Sequence, residues 1–126
     1  MDKRSVSPGA PATGAPYSPA IIAGDTVYVS GQIHMDPVSR EVLRGDFEAE
    51  VRLCISNVDR ILRVAGSGLD RCVKVTVFLA DMDNFARLNA VYSEYFGDVK
   101  PARSCVQVAR LPLDADVEIE AVALVR

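Results

Sequence analysis

The spacing of apolar residues changes several times along this chain, and each change predicts a new structural element. In the segment 20–33, Val27 and Val29 alternate with other side chains, as in a strand with one buried face. Gly24 and Asp25 interrupt the segment, which is typical of a hairpin turn. This part of the chain is therefore predicted to form two antiparallel strands.

From Asp46 the apolar residues recur at intervals of three and four, which predicts an amphipathic helix. Asp46 is a suitable N-cap, and Gly66 tolerates the positive φ with which many helices end. A second helix is predicted from about Asp83 to Gly97. Its buried stripe would consist of Phe85, Leu88, Tyr92 and either Tyr95 or Phe96.

Strict alternation returns in the segments 72–80, 102–108 and 116–125, and each is predicted to be a strand. The connecting segment 34–46 is rich in turn residues and should contain at most a short paired piece. The predicted order is β-β-α-β-α-β-β. We expect one α+β domain with both helices on one face of the sheet.

The opposite face of such a sheet would have no helix to cover it. Tyr28, Phe78, Val122 and Leu124 are predicted to lie there beside polar side chains. An exposed apolar surface of this kind usually marks an association site. The pattern therefore predicts a homo-oligomer.

Composition narrows the class of protein further. The chain has 126 residues, of which 49% are hydrophobic and 25% charged, as in ordinary globular domains. Its net charge of -3 and its lack of a basic run argue against nucleic acid as a partner. No apolar run approaches the roughly 18 residues of a membrane-spanning helix. We therefore expect no membrane segment.

The beginning of the chain and the cysteines give two further expectations. Residues 1–16 are rich in Ser, Pro, Gly and Ala, so we expect a flexible lead-in before a domain that spans 17–126. Cys54, Cys72 and Cys105 are an odd number without metal-ligand spacing. This pattern favours free thiols and a cytoplasmic location.

Arg103 and Cys105 point to the same side of their predicted strand. We expect the neighbouring strand to be the one that carries Glu118 and Glu120. The Arg103 guanidinium then has two possible partners, which are a carboxylate of the protein in a structural salt bridge and the carboxylate of a ligand. The pattern leaves both interpretations open.

The residues near Arg103 suggest candidate chemistry. A catalytic thiolate needs a base, and the single histidine, His34, is predicted to lie in an exposed loop, so Cys105 is interpreted as a pocket wall. Glu118 and Glu120 share a face; they are either solvated carboxylates or a pair of which one handles water. No metal site is expected from one histidine and scattered cysteines.

Several motifs together resemble the Rid family, also called YjgF/RidA, of 2-iminobutanoate/2-iminopropanoate deaminases. Between Tyr17 and Val125 they are APYSPAI, YVSGQI, SNVDRILRVAG, VKVTVFLADMDNFARLNAVYSEYF, PARSCVQVARLP and VEIEAVA. The resemblance implies a chorismate-mutase-like fold, assembled as a trimer with a central barrel and with clefts between subunits. It also implies the hydrolysis of reactive 2-imino acids or enamines, such as 2-aminoacrylate, to 2-keto acids and ammonia without a cofactor.

The resemblance also implies roles for individual residues. Arg103 of the PARS motif would hold the substrate carboxylate, and Glu118 would position or activate water. Cys105 and the backbone near Gly31 would line the cleft, and Tyr17 would close it from a neighbouring subunit. The alternatives are a protein that binds metabolites or acts as a chaperone without catalysis, and an enamine deaminase specific to one pathway. The acidic net charge argues against ribonuclease activity.

At three places the chain departs from the pattern that is common in this family. Glu50 stands where many relatives have Gln, Cys54 replaces a small polar residue, and His34 and Met35 follow the GQI motif where Pro is frequent. The resemblance implies that these positions border the cleft or its covering loop. They therefore bear on substrate range.

Overall fold

The structure is a computed structural model that describes residues 2–8 and 15–126. Six strands and two α-helices lie within these residues. The strands are β1 (Lys3–Val6), β2 (Ala20–Ala23), β3 (Thr26–Ile33), β4 (Cys72–Leu79), β5 (Ala102–Gln107) and β6 (Val117–Leu124). The helices are α1 (Phe47–Val64) and α2 (Phe85–Tyr92).

The strands form one sheet in the order β1-β2-β3-β6-β4-β5. All neighbouring strands are antiparallel except β4 and β5, which run parallel. Helix α1 packs against β3 and β6, and α2 packs against α1. The predicted α+β class, with two helices on one sheet, is confirmed.

The core lies between the helices and the inward-facing residues of the sheet. Every second residue of β4 from Val75 onward and of β6 contributes to it and is at most 3% exposed, namely Val75, Val77, Leu79, Val117, Ile119, Ala121 and Ala123. Burying one larger aliphatic side chain stabilises a fold by about 1.5–3 kcal/mol. A shift of one residue would move these side chains to the other face, so the alternation determines which face of each strand looks inward.

The predicted ends of α1 are confirmed. The Asp46 carboxylate accepts a hydrogen bond from the Ala49 N–H at 3.3 Å and caps the first turn. The chain leaves the helix at Gly66, whose φ of 82° would strain a residue with a side chain.

Helix α2 is shorter than predicted. A 3-10 turn over Met82–Asn84 precedes it, and it ends at Tyr92, although Phe96 still stacks on the Tyr92 ring at 4.4 Å. Phe85 is 39% exposed, so its predicted place in the buried stripe is wrong. Neither α-helix combines the length and the apolar character that crossing a bilayer requires in the part of the chain described.

The first described residues form a strand. Lys3–Val6 pairs antiparallel with β2, and Val6 lies opposite Ala20. This finding corrects the expectation of a flexible lead-in for residues 3–6. Only one side chain of β1 is buried, so the apolar pattern carries no signal, and backbone hydrogen bonds that do not depend on sequence hold the strand. Residues 9–14 lie outside the described residues.

The second face of the sheet carries no helix among residues 2–8 and 15–126. Tyr28 is 50% exposed, and Phe78 and Val122 are half-buried. Val106 of the edge strand extends this apolar surface, because it is paired with Phe78. The predicted uncovered face is therefore confirmed, and we call it the open face.

We expect Asn57 of α1 to be important for stability. Its buried side-chain amide donates hydrogen bonds to the carbonyls of Ile33 and Met35 at 3.3 and 2.8 Å. Asn57→Ala should lower the free energy of unfolding by about 1–3 kcal/mol, because buried polar groups lose their partners. Ser56→Ala, at the exposed neighbouring position, should change it by less than about 0.5 kcal/mol. Urea denaturation measures both, and equal stabilities would contradict this role.

Candidate functional site

Arg103 lies on the edge strand β5 and faces the side of the sheet that carries the helices. It is paired with the core residue Val75, and directly paired residues share a face. Its guanidinium carbon lies 4.8 Å from the centre of the Tyr92 ring and 5.6 Å from that of Phe85. Helix α2 therefore offers two aromatic rings to one cation.

No carboxylate among residues 2–8 and 15–126 forms an ion pair with Arg103. The arginines that do form such pairs there are Arg52, Arg63, Arg87, Arg110 and Arg126. Arg103 is half-buried, so water and small solutes reach it. Of the two interpretations of this residue, the structural salt bridge has no partner in the described chain. The geometry leaves the planar guanidinium suited to bidentate binding of an external carboxylate.

The predicted position of β5 beside the strand of Glu118 is wrong. Strand β4 lies between β5 and β6. Strands β4 and β5 are joined through α2, and a strand-helix-strand connection places two parallel strands side by side. Alternation along a strand indicates its buried face but not its neighbours.

Glu118 lies on the open face of β6, where it is paired with Phe78 of β4. Strand β3 shifts its register against β6 between Val29 and Gln32. At this irregularity Gly31 comes so close that a β-carbon there would collide with the Glu118 carboxylate. This close approach therefore requires glycine at position 31, since a side chain there would keep the two strands' residues apart.

The environment of Glu118 suits a group that accepts a proton. Burial is the main cause that raises its pKa above the usual value, and the nearby Glu120 carboxylate raises it further. A half-buried carboxylate with a raised pKa is a suitable general base for water.

Arg103 and Glu118 lie on opposite faces of the same sheet. Arg103 shares the helix-covered face with Val75, whereas Glu118 shares the open face with Phe78. One small molecule cannot touch both groups of a single chain. A ligand that contacted both would have to lie between two chains.

Cys105 lies on the same face as Arg103 and is half-buried. Burial raises the pKa of its thiol, so the thiol is neutral at physiological pH. This favours its interpretation as a pocket wall.

Tyr17 is 67% exposed and lines, together with Gly31, a cavity of about 560 Å³. Arg103, Glu118 and Cys105 do not line this cavity. The structure therefore brings together Tyr17 with Gly31, and Gly31 with Glu118, but it places Arg103 and Cys105 elsewhere in the same chain.

A buried polar cluster behind the start of β6 was missed by the sequence analysis. His34 is 0% exposed, so the predicted exposed loop histidine is wrong. Its ring turns inward because two backbone groups bind it, the Leu43 carbonyl at 2.6 Å and the Asp116 N–H at 2.9 Å. Glu50 gave a signal that could have been followed, because it lies four residues before Cys54 on the buried face of α1.

The residue types in this cluster also occur in metal sites. A ring nitrogen of His34 and carboxylate oxygens of Glu50 and Asp116 lie within 4.8 Å of one another, which corrects the expectation that the chain has no such group. However, His34 Nε2 accepts the Asp116 N–H and Nδ1 binds the Leu43 carbonyl. As folded, the imidazole has no lone pair left for a cation.

Comparisons with known proteins agree with this architecture. The family model described as endoribonuclease L-PSP matches residues 8–125. The chain is 48% identical to a RutC family protein of Pyrococcus horikoshii over 114 residues, which cover 90% of each chain. It is 44% identical over 115 residues to a 2-iminobutanoate/2-iminopropanoate deaminase of Bos taurus, with coverage of 91% of this chain and 84% of that one.

A solved structure extends the match to the fold. The crystal structure of Escherichia coli TdcF with bound serine superimposes with a TM-score of 0.87 at 38% identity, and the match covers 98% of this chain and 99% of that chain. The protein belongs to the endoribonuclease L-PSP family, which is the YjgF/Rid family, and the resemblance in its motifs is confirmed.

The raised thiol pKa values predict slow alkylation. Burial raises the pKa of Cys105 and raises that of Cys72 to about 11. With iodoacetamide at pH 7, native protein should be modified more slowly than free cysteine in the same solution, as measured by mass spectrometry. Protein unfolded in urea is the control and should react at all three cysteines. Modification of native Cys105 faster than free cysteine would indicate an activated nucleophile.

Proposed function

We propose that this protein hydrolyses reactive 2-imino acids, or their enamine tautomers, to 2-keto acids and ammonia. The observation that carries the proposal is Arg103, a half-buried cation that rests on aromatic rings and has no carboxylate partner among the described residues. A small substrate with a carboxylate would complete it. The bovine relative named as a deaminase and the serine in the TdcF structure support this substrate class.

We further propose that the site is formed between the subunits of a homotrimer. Because Arg103 and Glu118 lie on opposite faces, a second copy of the chain has to supply one of them. The open face offers exposed apolar side chains such as Tyr28 and Val106 for that contact. Three open faces directed inward would form the central barrel of a chorismate-mutase-like assembly.

In the proposed reaction the protein orients a substrate that is already electrophilic. Arg103 binds the carboxylate and fixes the imine carbon beside a water held by Glu118. Glu118 takes a proton from the water as its oxygen bonds to this carbon, and then returns the proton to nitrogen. In the carbinolamine so formed, Glu118 carries the hydroxyl proton to nitrogen as the C–N bond breaks and the carbonyl forms, which releases ammonia and the keto acid. Tyr17 closes the cleft, Cys105 forms a wall, and no cofactor is needed.

Two other aspects of the proposal follow from the side chains. Ribonuclease activity is not favoured, because the single histidine, His34, is buried and unavailable as a base for RNA. A cytoplasmic location is proposed because Cys54, Cys72 and Cys105 are all free thiols.

Substitution of the two site residues tests the reaction. With 2-iminobutanoate generated in situ, Arg103→Ala should lower kcat/KM by about 10- to 150-fold, since it removes a charged hydrogen-bond donor worth about 1.5–3 kcal/mol. Glu118→Gln should lower kcat by about 100-fold or more, because the amide cannot accept the proton. Ammonia release measures both. The control Arg63→Ala, at an exposed ion pair on α1, should have the wild-type rate. Wild-type activity in Arg103→Ala would exclude this site.

Mixed oligomers test the location of the site. Arg103→Ala and Glu118→Gln chains, inactive alone, should regain activity when they are refolded together in equal amounts. If each site takes the two residues from different chains, about a quarter of the sites contain both, so about a quarter of the wild-type activity should return. Light scattering should give the mass of three chains. If both residues came from one chain, no mixed site would be complete and no activity would return.

A further inference from the structure

A pair of acids, one buried and one half-buried, has no part in the proposed chemistry. Glu50 of α1 is 1% exposed, and Asp116 lies one residue before β6. An oxygen of each carboxyl group and a His34 ring nitrogen lie within 4.8 Å of one another. Two carboxylates this close, one of them buried, repel each other, so this arrangement needs a compensating charge or a proton.

The charged groups around the pair offset its charge only in part: Arg44 lowers the pKa of Glu50, but burial and Asp116 raise it more. His34 Nε2 accepts the Asp116 N–H, so the ring proton is on Nδ1, which donates to the Leu43 carbonyl, and the imidazole is neutral. Burial also lowers the pKa of His34. The Arg44 guanidinium is exposed and donates to the carbonyls of Leu113 and Asp114.

Three other titratable groups near Glu50 do not complete this compensation. On α2, Arg87 forms a surface ion pair with Glu48. One turn along α1, Cys54 is a buried thiol whose pKa is raised, so it is neutral. On β6, Glu118 adds negative charge near Cys54.

One carboxylate oxygen of Glu50 also lacks a donor. Its Oε2 accepts the Gly45 N–H at 3.2 Å, whereas its buried Oε1 receives no hydrogen bond from the N–H or O–H groups of the described residues. A proton held between Oε1 and Asp116 would satisfy this oxygen and remove one negative charge.

We propose that Glu50 and Asp116 share one proton at neutral pH, and that this proton makes Glu50 a positioning residue for Glu118. The second part rests on the proposed function. As support, burial and the neighbouring Asp116 carboxyl raise the pKa of Glu50 to about 7.

The connection to Glu118 runs through a short stretch of backbone. His34 accepts the Asp116 N–H, the Glu50 carboxyl lies within 4.8 Å of that of Asp116, and the Cys54 thiol donates to the Val117 carbonyl at 3.6 Å. Glu118 is the next residue. Loss of the shared proton would leave two like charges together and push Asp116 away from α1. The Glu118 carboxylate would then move relative to the backbone of β3.

Thermal unfolding between pH 5 and pH 8 tests the shared proton. The pKa of Glu50 in the folded protein lies above its ordinary value of 4.5, so folding takes up a proton between about pH 4.5 and about 7, and wild-type Tm should fall as pH rises through this window. In Glu50→Gln the amide donates to Asp116 and cannot ionise. The Tm of this variant relative to wild type should therefore rise with pH by a few degrees. A constant difference would overturn the proposal.

Glu48→Gln is the matched control on the same helix. Its ion pair with Arg87 lowers the pKa of Glu48 to about 2, so its contribution to stability changes only below about pH 4.5. Its Tm difference from wild type should be constant above pH 5.5. Infrared spectra at pH 6 should show a protonated carboxyl band in wild type that Glu50→Gln lacks. Zinc added to chelator-treated protein should not raise Tm; a rise that Glu50→Gln abolishes would indicate a metal site instead.

The positioning of Glu118 has two readouts, and one does not depend on deaminase activity. Above pH 7, amide hydrogen exchange at residues 116–118 should be faster in wild type than in Glu50→Gln at the same pH. If the proposed reaction occurs, kcat of wild type should fall over this range relative to Glu50→Gln while KM is unchanged, because Arg103 still binds the carboxylate. Absence of activity would refute the proposed function alone. Equal exchange in the two proteins would refute the positioning role.

Discussion

The structure depends on a sheet that, within the described residues, is covered by helices on one face only. On the covered face, alternating aliphatic residues of β4 and β6 are almost fully buried, and their burial provides the main stabilisation of the fold. The open face carries Tyr28 and Val106 with much of their surface in water. A chain built in this way is stable as a unit but keeps a surface suited to association. The two residues with the clearest candidate chemistry lie on different sides of this divided sheet.

Arg103 remains available to a ligand because it lies on β5, the edge strand at which the helix-covered face ends. A fully buried guanidinium without an acid would cost several kcal/mol. At the edge strand β5 the side chain is half-buried, so part of its hydration is kept, and the rings of Tyr92 and Phe85 add a cation-π attraction of about 0.5–2 kcal/mol. These two contributions hold the cation without a carboxylate. An acid placed here would neutralise the group that the proposed substrate needs.

The elements with strong periodicity were predictable from the sequence, whereas contacts between distant residues were not. The hairpin 20–33 and the helix after Asp46 follow from local spacing and turn residues, and both are present. Strand β1 could not be predicted, because its pairing with β2 uses backbone groups that any sequence has. The environment of His34 was also hidden, since its ring binds the backbone of a residue 82 positions away. The family motifs indicated Arg103 and Glu118 but not that one sheet separates them.

Three polar residues on the buried side of α1, Glu50, Cys54 and Asn57, lie close to the irregular part of the sheet beside Glu118. We call them the polar line of α1. Where β3 shifts its register against β6, Gly31 is free to approach Glu118, but regular pairing is interrupted and nearby backbone groups need other partners. Glu50, Cys54 and Asn57 lie at helical spacing on the buried side of α1 and provide them, through the Gly45 N–H, the Val117 carbonyl and the Ile33 and Met35 carbonyls respectively. Apolar residues at these three positions would pack well but would leave buried polar groups unpaired. The polar line of α1 thus pairs buried backbone groups close to the irregular strand that shapes the surroundings of Glu118.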